Sequence, residues 1–144
     1  MKLDDIHSSW AKDSAIDELE LDREARAIPV LHAKYLRMMS DERMILKRLQ
    51  YEHDELRTAK IDRLSGKMPE EELKRRGWEP EPRRFLKEDL NNAIAADRDV
   101  IDLKLRIALQ QEKVDVLDSI VRMVMNRNFA IKSAIDWVKF KSGA

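Results

Sequence analysis

LHAKYLRMMSDERMILKRLQYEHDELRTA, residues 31–59, decides the architecture of this chain. Leu31, Tyr35, Met38, Glu42, Ile45, Leu49, Glu52, Leu56 and Ala59 recur in it at alternating steps of four and three. Such steps bring side chains to one edge of an α-helix. Held for four heptads, they predict a helix of about 50 Å with a seam for a partner helix. Glu42, Glu52 and Ala59 make the seam imperfect. Ser40-Asp41 offers a cap, but the phase does not shift there, so the helix is read as continuous.

Upstream, Leu3, Ile6 and Trp10 predict a short amphipathic helix over 3–14. Asp17 and Glu20 imitate a capping box ahead of a second helix at 18–27, which Pro29 interrupts. Downstream, Ser65 to Pro82 is irregular. Pro69-Glu70-Glu71-Glu72-Leu73 reads as one helical turn, with carboxylates beside the positive helix end, and Gly77, Pro80 and Pro82 punctuate a loop. A second long helix is expected from Arg84 to Met125, with Leu86, Leu90, Ile94, Ile101, Leu105 and Ala108 as its stripe. The phase slips at 109–114 and resumes at Leu117, Val121 and Val124, as a stutter would produce. The intervening loop folds the two long helices into an antiparallel hairpin.

Asn126-Arg127-Asn128 breaks the pattern, and a last helix runs from Phe129 to Phe140. Ile131, Ile135 and Val138 lie on one face, with Ala130, Ala134 and Trp137 on the next. A helix this broadly apolar needs cover on more than one side, from its own hairpin or from a neighbouring subunit. The second is expected, with Phe129, Ile131, Ala134, Ile135, Trp137 and Val138 as the assembly residues. The predicted fold is therefore all-α: a long antiparallel helical hairpin with short N-terminal helices, forming one helical domain over 1–125, and a C-terminal oligomerisation helix over 126–144.

Composition agrees. Of 144 residues 39% are charged and 43% apolar, with 3 Gly and 4 Pro, a profile of long helices. Lys plus Arg and Asp plus Glu are 28 each, so the chain is no general polyanion binder and offers at most a local basic patch. No cysteine is present, which fits a reducing cytosol and excludes disulfides and thiolate metal sites. No apolar run approaches the ~20 residues of a membrane span, and the N-terminus lacks an apolar signal core.

The chemistry-bearing stretch is 57–67. Arg57, Lys60, Arg63 and Lys67 share one helix edge, and Ser65-Gly66 ends the helix. A second cluster, Lys74-Arg75-Arg76-Gly77-Trp78 followed by Arg83-Arg84, sets arginines around an aromatic. Single strands use that pairing for phosphate contact and base stacking. A solvated ridge and a Trp78 that simply pins the loop are the plainer readings of both. His7, His32 and His53 share no ligand spacing and are read as solvated or boundary residues. Ser65-Gly66-Lys67 lacks the rest of a phosphate loop. Asp97 and Asp99, about 160° apart on a helix, do not converge, and exposed pairing of this cluster with Arg98, Lys104 and Arg106 is expected. Neither a catalytic arrangement, a metal site nor a cofactor site is read here. The chain is expected to be a non-enzyme.

Several segments, in order and in one register, carry a resemblance. They are Met1-Lys-Leu-Asp-Asp5, Pro29-Val30 with Lys34 and Leu36, Ala59-Lys-Ile-Asp62-Arg-Leu-Ser65-Gly66, Ala96-Asp97-Arg-Asp99-Val100 and Asn128-Phe-Ala-Ile-Lys132. Together they resemble the UvsY family of phage recombination mediators. The resemblance implies an all-helical, non-catalytic protein of the infected host's cytoplasm, assembled through its C-terminal segment into a hexameric or heptameric ring. It further implies binding of single-stranded DNA, contact with the phage single-strand-binding protein, and loading of a phage RecA-like recombinase. The family's DNA-binding basic pair falls at 58 and 60. Lys60 matches and Thr58 does not, with Arg57 and Arg63 on the same edge. A non-catalytic coiled-coil scaffold or virion adaptor is the alternative.

Overall fold

A computed structural model describes residues 1–143. Five helices follow in order: α1 (Leu3–Asp13), α2 (Leu21–Leu64), α3 (Glu70–Arg76), α4 (Lys87–Ala95) and α5 (Arg98–Lys141). No strand occurs among the described residues. The chain is all-α and divides into two units. One holds residues 1–44 and those from 111 on; the other holds 45–110. Within each, α2 and α5 run antiparallel, as the partners below show.

In the first unit Ile6 of α1, Tyr35 and Met39 of α2, and Leu117, Ile120, Val121 and Val124 of α5 form one buried cluster. Tyr35 is fully buried. Trp10 meets its ring edge-on at 5.4 Å, and its hydroxyl lies 3.1 Å from Ser9 and 2.8 Å from an Asp13 carboxylate oxygen. Burial, reinforced by the Asp13 carboxylate, pushes the Tyr35 phenol up to about 12. Lys34, hydrogen-bonded to Asp13, holds that carboxyl below its usual range.

Two expected breaks are absent. α2 starts at Leu21 and runs through Pro29. Ile28 and Leu31 flank the proline and pack on the cluster, while Pro29 and Ala25, whose carbonyl loses its helical partner, are both exposed. Tertiary packing thus outweighs the lost hydrogen bond, which water can replace. α5 likewise passes through Asn126-Arg127-Asn128 without interruption. Arg127 points inward, 7% exposed. It donates to the Ser14 carbonyl at 3.1 Å, the Ala15 carbonyl at 2.8 Å and a Glu24 carboxylate oxygen at 3.0 Å. A charge satisfied by the link between α1 and α2 holds the helix where sequence suggested a cap.

In the second unit the opposite happens. The helix expected from Arg84 onward is interrupted at Ala96-Asp97, between α4 and α5. Asp97 Oδ1 accepts from the Val100 N–H at 3.1 Å, capping α5. Ala59, Met68 and Leu73 are buried together, with Trp78 packed against them. Gly77 ends α3 at φ 71°, so that the Trp78 N–H reaches the Leu73 carbonyl at 2.9 Å. That left-handed turn sets Trp78 beside α2.

Candidate nucleic-acid interface

The basic edge of α2 does not present four equivalent cations. Lys60 is 5% exposed and turned into the second unit. Its ammonium lies 2.8 Å from an Asp99 oxygen, 3.2 Å from an Asp97 oxygen and 4.2 Å from the centre of the Trp78 ring. Two carboxylates and an aromatic face thus surround it before any ligand arrives. Asp97 and Asp99 converge here, contrary to expectation. Asp97 precedes α5 as its cap, so the helical angle between the two positions does not apply.

The neighbours differ in kind. Arg63 donates through Nε to the Glu79 carbonyl at 2.7 Å and secures the loop after α3. Arg57 and Lys67 are exposed, and their side chains form no ion pair among the described residues. Arg75 and Arg76 both lean on Glu72, at 3.4 and 3.3 Å. Such surface pairs are worth at most about 1 kcal/mol and yield readily to phosphate. The Arg76 guanidinium also lies 5.1 Å from the Trp78 ring centre. Half-buried between Lys60 and Arg76, Trp78 pins the loop and offers no free stacking face on the Lys60 side.

Sequence reasoning missed two features. Beyond the end of α2, Ser65 and Gly66 line a groove of about 550 Å³ with Arg84, Phe85 and Leu90. Glu81 holds Arg83 there at 2.8 Å, and the same contact lowers the Glu81 carboxyl below its usual range. Arg84 is exposed and forms no ion pair among the described residues. On the other side of α4, Arg57 and Lys104 line a cleft of about 250 Å³. Lys104, expected to pair with the Asp97–Asp102 cluster, is exposed and takes no carboxylate partner among the described residues. In that cluster Arg98 does pair with Asp102, at 3.4 Å. The signal for Lys104 was its register: it sits one position past Leu103, which is buried.

The predicted assembly residues also separate. Ile131 is 2% exposed, inside the first unit, and Ala134 and Ile135 are half-buried. Phe129, Trp137 and Val138 are 64%, 59% and 51% exposed, and Phe140 stacks on Trp137 at 5.5 Å.

Residues 9–144 match the family described as the recombination, repair and ssDNA binding protein UvsY. The recombination protein uvsY of Enterobacteria phage T4 is 24% identical over 143 residues, 99% of either chain. A crystal structure of the bacteriophage T4 recombination mediator protein UvsY aligns with a TM-score of 0.85 at 25% identity. It covers 99% of this chain and 98% of the other. A second lattice form of the same T4 protein gives 0.85 at 24% identity, over 97% and 99%.

Proposed function

Because the chain belongs to the UvsY family of recombination, repair and single-stranded-DNA-binding proteins, we propose that it is a non-catalytic recombination mediator. In this reading it binds single-stranded DNA, assembles into a hexameric or heptameric ring, and loads a phage RecA-like recombinase onto strands covered by the phage single-strand-binding protein. The observation that carries it is the agreement of sequence and fold with the T4 mediator along nearly the whole chain. On the strand-binding surface Arg57 and Lys67 make direct phosphate contacts, and Arg75 and Arg76 exchange Glu72 for the strand. Lys60 and Trp78 hold that surface in shape. Several weak surfaces on one ring act together, so modest protomer affinity becomes tight binding through effective concentration.

Titration of labelled oligo(dT) at two salt concentrations, with light scattering on the same samples, tests the reading. Salt-sensitive binding by a ring-sized species is expected, with a logarithmic slope near −0.7 per phosphate neutralised. A large assembly indifferent to DNA would instead favour the scaffold or virion-adaptor role.

A further inference from the structure

We propose that the cleft between α2, α4 and the first turns of α5 is a seat for one backbone phosphate of the bound strand. Arg57 and Lys104 are its cationic walls, Asn91 adds an amide, and Ile94 and Val100 form its apolar floor. Among the described residues no carboxylate lines it. In two neighbouring concavities carboxylates outnumber cations: Glu52, Glu55, Asp99 and Asp102 against Arg76 and Arg106 in one, and Asp54, Glu55, Asp62 and Glu72 against Arg76 in the other. A phosphodiester is therefore favoured here over the interior of either. At about 250 Å³ the cleft has room for a phosphate group.

His53 supplies an independent observation. It lines the same cleft, and its Nε2 is buried without a hydrogen-bond partner among the described residues. Its Nδ1 lies 3.6 Å from Asp54. An unsatisfied buried nitrogen destabilises a fold and calls for an explanation. With the ring proton on Nε2, a phosphate oxygen in the cleft provides the acceptor. Leu90 and Asn91, adjacent on α4, line the Phe85 groove and the cleft respectively, so a strand leaving the seat meets an aromatic next.

The seat rests on the single-strand reading, and the test separates the two. Oligo(dT) affinity is measured for the full-length wild type, Lys104→Gln, His53→Phe and Lys47→Gln. Lys47 is an exposed lysine of α2 outside the cleft, with no ion pair among the described residues, so its loss changes net charge equally. Lys104→Gln is expected to weaken binding roughly tenfold and to reduce the salt slope by about 0.7, well beyond Lys47→Gln. His53→Phe is expected to raise the melting temperature while weakening binding. Equal effects of Lys104→Gln and Lys47→Gln, or unchanged affinity in both cleft variants, overturn the seat and leave the mediator reading standing. A wild type that binds no oligo(dT) overturns both.

Discussion

A lysine on a charged helix edge ordinarily reaches for water, and Lys60 does not. Its burial between Asp97, Asp99 and Trp78 makes it a support for the proposed DNA surface, and that has a measurable consequence. Lys60→Ala leaves a mostly buried Asp97 and a half-exposed Asp99 without their cation. It is expected to lower unfolding free energy by about 2 kcal/mol, below the full penalty for a buried pair because Asp99 is partly solvated. Arg57→Gln should do the reverse, changing stability by less than about 0.5 kcal/mol while weakening single-strand binding. Urea unfolding and oligo(dT) titration of both variants decide the matter; equal stability loss in the two would refute the assignment. Tyr35 offers a second test. Its folded pKa, about 12, lies above the usual value near 10, so its contribution to stability is complete below pH 10 and lost as pH rises toward 12. Asp13 has the opposite sign: its lowered pKa stabilises above the normal carboxylate range and is lost on acidification through the folded value. In Tyr35→Phe the alkaline decline in melting temperature between pH 10 and 12 should shrink, while the acid limb keeps the part that Lys34 sets through Asp13.

Along α2 the buried positions are Tyr35, Met39, Glu42, Leu46, Leu49, Ala59 and Lys60, with Leu31, Met38, His53 and Leu56 partly covered. One column of this seam, 35, 42, 49 and 56, was legible in the sequence. The other is 39, 46, 53 and 60, one residue beyond the expected 38, 45 and 52, while the expected Ala59 is buried beside Lys60. Both columns begin with two apolar residues, Met39 and Leu46 against Met38 and Ile45, so composition could not choose between them. The real column then ends in His53 and Lys60, which a hydrophobic pattern rejects. That one-residue shift is why Lys60 was expected on the surface. The same cause misled the reading of α5. Its buried line, Val100, Leu103, Gln110, Val114, Leu117, Val121 and Val124, needs no stutter, but Gln110 hides the phase while Leu105, 64% exposed, imitates it. The two registers predict opposite outcomes. Leu46→Ala should cost about 2–4 kcal/mol and Ile45→Ala less than about 1, measured by chemical unfolding. The reverse order would restore the expected seam.

For the whole molecule, the structure changes how assembly must be tested. Cutting the chain after Met125 removes the apolar tail, but it also removes Arg127, which ties α5 to Glu24 and the α1–α2 link, and the buried Ile131. A smaller species from such a truncation would not separate lost assembly from a damaged protomer. Substitutions confined to the uncovered face avoid this. Phe129 and Trp137 are each more than half exposed, and Trp137 stacks on an equally uncovered Phe140. Neither belongs to the cluster of Ile6, Tyr35 and Leu117. Phe129→Glu with Trp137→Glu should therefore leave helicity and melting of the protomer nearly unchanged. If this face joins protomers, burying two carboxylates there opposes association strongly. Light scattering should then show a smaller species, and oligo(dT) affinity should fall with it, because fewer linked surfaces lower the effective concentration. An unchanged mass would place assembly elsewhere. A reduced mass with full DNA affinity would show that each protomer binds the strand by itself, removing the multivalent step from the mechanism.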